Sequence, residues 1–418
     1  MNQTEFFSLR TNTLAALALT IGLTGCGGDS SSSTPDPVIT ENFGVVATAA
    51  DDYTSGEVEL VSIQDTGMQA SGGYFSGISD ITVNGYGQHY YLIRKFFGDQ
   101  VLKVDIENPG KEVWEASTLE AEDQGSANPY QIVFANESKG YLLRYGKNEA
   151  WVVNPSANRA EDFFTGKTLD LSDYVPTDSQ GDVVQMSAGA VVNGKLFITM
   201  QRLDSNYSPT NDGYVAVFDT TTDTEIETNA SATDTLKGIP LIGRNPSNIQ
   251  HVEGIGLVIT NLGGFSAPFE GTSLDVVDPE TYQVSSMIPD ADIDTQINDV
   301  VIISPTEGYI LNYAGWQDIS LQSFNPSQGA TSLALVNNLT GMDFRDIELS
   351  PEGRLWLADA TLSNPGVRVI DPSDNSQADF IETSLLPIAI SFGTVVTNPS
   401  PRRRGVFGAA PPLPDQVL

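Results

Sequence analysis

The sequence predicts an all-β protein in which a four-stranded unit repeats around a closed ring. A short segment ending in an apolar residue, then Asp or Asn and often Pro, recurs along the chain. Its aligned positions are Asp105, Asn154, Asp219, Asp278, Asn325 and Asp371, and Ser62 stands at the same position of a similar segment near the N-terminus. The successive spacings of 43, 49, 65, 59, 47 and 46 residues are typical of propeller blades with two enlarged loops. Beyond the first 25 residues, no ten-residue stretch combines helical periodicity with capping residues.

Each repeat supplies four predicted strands. Two alternating apolar runs joined by a Gly-containing turn, as in DITVNGYGQHYYLI and DIELSPEGRLWLA, are assigned as strands A and B. The recurring segment is strand C, and a polar-apolar stretch such as KEVWEAST after it is strand D. Four short strands in every repeat indicate a β-propeller.

Counting the repeats predicts seven blades, with eight as the alternative. Six full blades lie between Gly77 and Ser384. We expect both ends of the chain to build the seventh, with residues 386–392 as its inner strand and residues 43–50 and 57–64 outside it. Pairing the termini in one blade leaves no free sheet edge.

The N-terminus predicts export and lipidation. The ten-residue apolar run LAALALTIGL is too short to span a bilayer but suits a signal peptide. It is followed by Leu23-Thr24-Gly25-Cys26, which resembles the lipobox of bacterial lipoproteins, and Cys26 is the only cysteine. The resemblance implies that Cys26 carries the lipid and, because Gly27 follows it, that the anchor lies in the outer membrane of a Gram-negative bacterium.

The predicted organisation therefore has four parts. Residues 1–25 are a signal peptide, 26–41 the lipidated cysteine with a flexible tether, 42–398 the propeller, and 399–418 a disordered tail rich in Pro and Arg. The charge of −34, from 54 acidic and 20 basic residues, argues against nucleic acid as a partner and limits membrane association to the lipid anchor.

The strand segments resemble those of the YVTN-type bacterial β-propellers. The resemblance is carried by GLVITNLGG with LDVVDP, by YYLIRKFFGDQ with VLKVDI, and by YLLRYGKNE with AWVVNP, and it covers residues 43 to 395. Propellers of this kind include surface lipoproteins that capture cobalamin for a TonB-dependent transporter. The resemblance thus implies a propeller fold and suggests ligand capture with such a transporter as partner.

The candidate ligand-binding residues lie where strand A starts and strand B ends, because these positions meet on one face of a propeller. At the start of A stand Asp80, Gln131, Asn248, Asp299 and Asp346, with Arg345 beside the last. At the end of B stand Arg94, Arg144, Arg202, Asn261, Asn312 and Asp359, and Trp316 follows in a loop. Amides, guanidinium groups and aromatic rings together suit a polar organic ligand. The alternative is that they cap loops or pack between blades.

These residues predict a protein that binds a small polar molecule or glycan, and they favour binding over catalysis. Asp80, Asp299 and Asp346 suggest calcium in the channel as an option, since three carboxylates directed at one axis would repel one another. The alternatives are a hydrolase or lyase using Asp299 with Asp346, and a scaffold for protein–protein interaction. Neither histidine, His89 or His251, falls in the convergent positions.

Overall fold

The computed structural model describes residues 39–179, 182–228 and 235–397. The signal peptide, Cys26 and the tail predicted from residue 399 lie outside the described residues. In chain order the strands are β1 (Ile39–Ala49), β2 (Gly56–Ser62), β3 (Ala70–Phe75), β4 (Ile81–Tyr86), β5 (His89–Arg94), β6 (Gln100–Asp105), β7 (Glu112–Ser117), β8 (Pro129–Asn136), β9 (Lys139–Arg144), β10 (Glu149–Val153), β11 (Phe164–Asp170), β12 (Met186–Val192), β13 (Lys195–Met200), β14 (Tyr214–Asp219), β15 (Thr224–Glu225), β16 (Ile239–Pro240), β17 (Pro246–Val252), β18 (Gly256–Asn261), β19 (Ser273–Val277), β20 (Val284–Ile288), β21 (Gln296–Ser304), β22 (Glu307–Gly315), β23 (Asp318–Phe324), β24 (Ala334–Leu335), β25 (Phe344–Leu349), β26 (Leu355–Asp359), β27 (Gly366–Asp371), β28 (Ser376–Glu382) and β29 (Leu386–Thr397).

The strands form seven antiparallel sheets, which confirms the predicted seven-bladed propeller. Blade 1 contains β4–β7, blade 2 β8–β11, blade 3 β12–β15 with β16 beside β14, blade 4 β17–β20, blade 5 β21–β24, blade 6 β25–β28, and blade 7 β29, β1, β2 and β3. The A strands contact one another in the order β4, β8, β12, β17, β21, β25, β29 and back to β4. The ring is therefore closed around a central channel.

Blade 7 closes the ring by joining the two ends of the described chain. Strand β29 pairs with β1 from Leu386 opposite Ala49 to Thr397 opposite Ile39. The inner strand is thus supplied from the C-terminal side and β1 and β2 from the N-terminal side, as the sequence predicts, and the structure adds β3 as a fourth strand that the sequence analysis did not identify. Strand β1 begins at Ile39, three residues before the predicted boundary at residue 42.

The hydrophobic core lies between neighbouring blades. Trp356 of blade 6 is 1% exposed and packs against β1 of blade 7. A Cβ atom at Gly44 would lie 2.4 Å from its indole ring, so only glycine permits this contact. Burial between faces of adjacent sheets holds the blades together.

The recurring Asp or Asn has a structural role at the end of strand C. All six of these side chains accept, through Oδ1, the N–H of the residue two positions later: Asp105, Asn154, Asp219, Asp278, Asn325 and Asp371. Such Asx turns fix the path of the chain after the strand. The repeated frame is therefore a turn signal and not a ligand-binding motif.

The residue after this Asp or Asn connects the blade to the preceding one. Tyr91 of blade 1 donates its hydroxyl to the carbonyl oxygen of Pro155 in blade 2 at 2.7 Å. Lys195 of blade 3 donates to the carbonyl of Pro279 in blade 4 at 2.9 Å. The turn at the end of strand C thus presents a carbonyl that a side chain of the neighbouring blade can reach.

Helical structure within the described ranges is confined to short 3-10 turns. These are Ala160–Asp162, Ser172–Tyr174, Asp290–Asp292 and Gly329–Ser332. No helix in the described part of the chain has the length and apolar character to cross a bilayer.

The ring has two distinct faces. The A strands start and the B strands end on one of them, which we call the funnel face. Ile39 and Thr397 pair with each other on the opposite face, which we call the basal face.

Candidate functional site

The channel opens into a cavity of about 280 Å³ that is lined by all seven A strands. The lining groups are mainly amides, hydroxyls, carboxyls and one guanidinium group, with Tyr130 as the aromatic member. We call this space the channel cavity. Of the residues predicted from the sequence, it brings together Gln131, Asn248, Asp299, Arg345 and Asp346.

Several of these side chains connect one inner strand to the next. Gln131 accepts the N–H of Gly189 at 2.8 Å, and Asp346 accepts the N–H of Ile390 at 2.5 Å. The same arrangement holds for Asn84 with Ile132 and for Ser391 with Gly85, each at 2.8 Å. A belt of side-chain to backbone hydrogen bonds therefore holds the A strands in register around the channel.

Five A strands carry a β-bulge immediately before the belt position. The bulged residues are Tyr130, Ser187, Ser247, Asn298 and Arg345. All five line the channel cavity. A bulge inserts an extra residue and redirects its side chain. The bulges thus add a second set of side chains to the cavity, of which the sequence analysis identified only Arg345.

Three carboxyl groups of blades 5 and 6 lie together in the cavity. Asn248 donates to Asp299 at 2.7 Å, and the charge of Asp299 acts on Asp346 in the neighbouring A strand. Glu348 lies two positions beyond Asp346 and also lines the cavity. Neighbouring carboxylates repel each other, so their proximity favours the protonated form of at least one of them.

Burial controls the protonation of this cluster. Burial, followed by the charges of Glu348 and Asp299, raises the pKa of Asp346 well above its ordinary value. Burial and the charge of Asp299 raise the pKa of Glu348 to about 8. At neutral pH, Glu348 is therefore mainly protonated and can donate a hydrogen bond as well as accept one.

An exposed tryptophan marks the rim of the cavity. Trp316 is 67% exposed, and the Arg345 guanidinium lies 5.2 Å from the centre of its ring. Arg345 donates to Asp343 at 2.7 Å, which fixes the guanidinium below the indole. The pair places an aromatic surface beside a row of hydrogen-bonding groups.

The predicted arginines at the ends of the B strands do not line the channel cavity. Arg144 is 1% exposed, pairs with Asp123 and lies 4.5 Å from the centre of the Trp151 ring. Arg202 donates to the carbonyl of Tyr174 at 2.8 Å, and Arg94 donates to Gln100 Oε1 at 2.7 Å. These side chains pack against the strands and loops outside the A strands.

The remaining predicted positions at the ends of the B strands also lie outside the cavity lining. Asp359 is fully buried and accepts from Arg368 at 2.6 Å. Asn261 is fully buried and donates to Ser273 at 3.0 Å, and Asn312 is 6% exposed. The sequence predicts that side chains at the starts of the A strands and at the ends of the B strands lie together. Of the side chains that the structure describes, only those of the A strands line the channel cavity.

Asp80 does not join the channel carboxyl groups. It lies before β4, outside the cavity lining, and its carboxylate pairs with Lys95 at 2.9 Å. Among the residues that the structure describes, no three acidic, histidine or cysteine side chains form a potential metal site. The expected calcium site of Asp80, Asp299 and Asp346 is therefore not assembled.

Comparison with known proteins places the chain among seven-bladed propellers by fold. No family model and no curated protein sequence matches it. A putative 6-phosphogluconolactonase from Bacteroides uniformis superposes with a TM-score of 0.57 at 13% identity, covering 84% of this chain and 99% of that chain. The periplasmic gluconolactonase PpgL of Pseudomonas aeruginosa gives 0.53 at 11%, covering 86% and 100%. Apo AztD of Citrobacter koseri gives 0.50 at 10%, covering 86% and 99%.

Proposed function

We propose that this protein is an extracytoplasmic, lipid-anchored binding protein that holds one small polar molecule, or the end of a glycan, in the channel cavity. The observation that carries the proposal is the cavity itself. Seven A strands direct hydrogen-bonding groups into one space, and an exposed tryptophan lies at its rim. Concave sites with few, well-positioned polar groups are typical of small-molecule binding.

The chemistry of the lining favours a ligand with several hydroxyl groups. The amides of Asn298 and Gln131 offer donors and acceptors, and protonated Glu348 does the same. The face of Trp316 suits the apolar side of a ring. At about 30 Å³ per water molecule, the cavity has space for about nine waters. That space corresponds to a single small ring and not to a long chain.

The anchor and the cavity fit a role in uptake. The lipobox-like segment predicts a lipid on Cys26 and an outer-membrane location. The funnel face, where the channel cavity lies, is the surface that we propose for the ligand and for a second protein. A TonB-dependent transporter that receives the ligand is the partner we propose.

The experiment is a thermal-shift screen of the mature protein against monosaccharides, polyols, sugar lactones and amino acids, followed by calorimetry of each hit. Asn298→Ala and Trp316→Ala should lower the affinity for a hit at least about tenfold. Phe96→Ala is the matched control, because Phe96 is 56% exposed but does not line the cavity. Equal affinity in all three variants would place the binding site elsewhere.

A second candidate function, lactone hydrolysis, is favoured by the presence of Asp299 and Asp346 together in the channel cavity. One carboxylate can accept the proton of a water that attacks the carbonyl carbon, and a carboxylic acid can donate a proton to the ring oxygen as its bond to that carbon breaks. Two of the similar folds belong to proteins described as a putative 6-phosphogluconolactonase and a periplasmic gluconolactonase. Release of protons from gluconolactone above the spontaneous rate, lost in Asp299→Asn, would favour this function. Binding without turnover would favour capture.

A further inference from the structure

A second and larger cavity lies on the basal face between blades 1 and 2. It measures about 580 Å³, and we call it the basal pocket. Its wall includes Tyr86, His89, Lys103, Ser156 and Asn158. Tyr86 is stacked on Phe134, with ring centres 4.3 Å apart, so one side of the pocket is aromatic.

A buried lysine forms part of the pocket wall. Lys103 of β6 is 3% exposed. Its ammonium donates to the carbonyl oxygens of Pro155 at 2.8 Å and Ala157 at 3.2 Å. An ammonium group has three N–H donors, so one remains for another acceptor. Within the described residues, no carboxylate oxygen lies within 4.0 Å of Lys103 Nζ.

Two other blade junctions show a related contact, in which the lysine begins strand B and a carboxylate is added. Lys195 donates to the carbonyl of Pro279 and also pairs with Glu280 at 2.9 Å. Lys139 donates to the carbonyl of Thr220 and pairs with Asp223 at 2.6 Å. At these junctions the protein supplies both the carbonyl and the negative charge.

The junction of blades 1 and 2 differs at the positions that supply the charge. Glu280 stands two residues after the Asp of its turn, and Asp223 stands four residues after its own. The corresponding residues after Asn154 are Ser156 and Asn158, which are uncharged. Both line the basal pocket beside Lys103. At these two turn positions the basal pocket thus offers neutral hydrogen-bonding groups where the other two junctions offer carboxylates, and its acidic lining residue, Glu137, makes no ion pair with Lys103.

We propose that the basal pocket binds the oxyanion group of a small aromatic acid, either a carboxylate or a phosphate monoester, with Lys103 as its cationic partner. The oxyanion lies where Glu280 and Asp223 lie at the other junctions, and the amide of Asn158 donates to it, whereas the hydroxyl of Ser156 is held by the carbonyl oxygen of Glu137. A charge-assisted hydrogen bond in a buried site is stronger than one between neutral groups. The body of the ligand lies against the Tyr86 ring.

His89 provides a direct reporter of binding. It stands at the first position of strand B, where Lys139 and Lys195 stand in the next two blades, and it lines the pocket. Burial, followed by the charge of Lys103, lowers the pKa of His89. The chain has only one other histidine, His251 in blade 4, so two imidazole signals report on two separate regions.

The test is NMR of the histidine side chains in the mature protein, titrated with benzoate, phenyl phosphate and inorganic phosphate. We expect one of the two aromatic probes to shift the His89 signal in a saturable manner and to leave His251 unchanged. Tighter binding of benzoate identifies a carboxylate ligand, and tighter binding of phenyl phosphate identifies a phosphate monoester. Absence of a saturable shift with both aromatic probes overturns the proposal, as does an equal response to inorganic phosphate alone.

The most direct test is a variant in which a protein side chain supplies the negative charge that the ligand is proposed to bring. Ser156→Glu places a carboxylate at the position that Glu280 has in blade 4, and it should reduce probe affinity at least tenfold. Ser327→Glu is the matched control, because Ser327 stands two residues after the turn residue Asn325 in blade 5. The control should bind like the wild type. Equal affinity in Ser156→Glu and the wild type would contradict the proposal, and it would leave the funnel-face function untouched.

Discussion

Replacing Glu348 by Gln tests whether the channel cavity contains neutral carboxyl groups. Burial and the charge of Asp299 raise the pKa of Glu348 from 4.5 to about 8. Because this pKa is higher in the folded than in the unfolded chain, the stability that the group contributes is complete below about pH 4.5. It is lost as the pH rises through about 8. The rise corresponds to at most about 5 kcal/mol.

The side chain is partly exposed to the channel, so we expect a loss of about 2–3 kcal/mol between pH 5 and pH 9. Gln has the shape of protonated Glu and does not ionise. The free energies of unfolding of wild type and Glu348→Gln should therefore agree at pH 5, and the variant should be more stable at pH 9 by that amount.

Urea unfolding at pH 5, 7 and 9 measures the difference. Glu382→Gln is the control, because Glu382 is exposed at the end of β28 in blade 6 and should give the same difference from wild type at all three pH values. If the free energy of unfolding of Glu348→Gln follows the pH profile of the wild type, ionisation of Glu348 in the channel does not destabilise the fold. The description of the cavity as a neutral, hydrogen-bonding site would then be refuted.

Three further substitutions test the packing around the ring. Arg144→Met leaves the carboxylate of Asp123 without its buried partner and should lower the free energy of unfolding by about 3–5 kcal/mol in urea titrations. Asn261→Ala removes a buried donor to Ser273 and should lower the free energy of unfolding by about 1–3 kcal/mol. Calorimetry should show unchanged ligand affinity, because Asn261 lies outside the cavity lining. Gly44→Ala should lower the melting temperature, because the added methyl group overlaps Trp356; an unchanged value would contradict the packing of blades 6 and 7.

The fold could be predicted because its signals are local and repeated. An Asp or Asn that caps the turn after strand C serves the same purpose in six blades, so the frame is visible at regular spacing. Alternating apolar residues identify each strand, and the count of repeats identifies the ring. Closure by the two ends also follows from the sequence, since residues 386–392 come after the sixth complete repeat and residues 43–64 come before the first.

The site could be predicted only in part, because side-chain direction depends on bulges. Gln131, Asn248, Asp299 and Asp346 converge, since they share one register position on four A strands. A bulge preceding each belt position brings a neighbouring side chain, such as that of Asn298, into the cavity, and single-residue bulges have no clear sequence signal. Glu348 could have been predicted from the sequence, since it lies two residues from Asp346 on one strand and such side chains point to the same face of a sheet.

The sequence predicts that the arginines at the ends of the B strands lie with the candidate residues of the A strands, and this prediction is wrong. Their position at a strand end indicates the funnel face, but each arginine binds an acceptor within its own blade or in an adjoining loop. Arg144 finds Asp123, which lies in a loop 21 residues earlier. Contacts of this kind depend on the folded loops, which sequence spacing alone does not define.

The measurement that tests the central claim most directly is native mass spectrometry of the mature protein purified from its own host. We predict one small polar molecule per chain, and we predict its loss in Ser247→Trp, because the bulged Ser247 lines the channel cavity and an indole there would fill it. A ligand that remains bound in this variant, or a wild-type protein that carries none and binds no compound in the screen, would contradict the account.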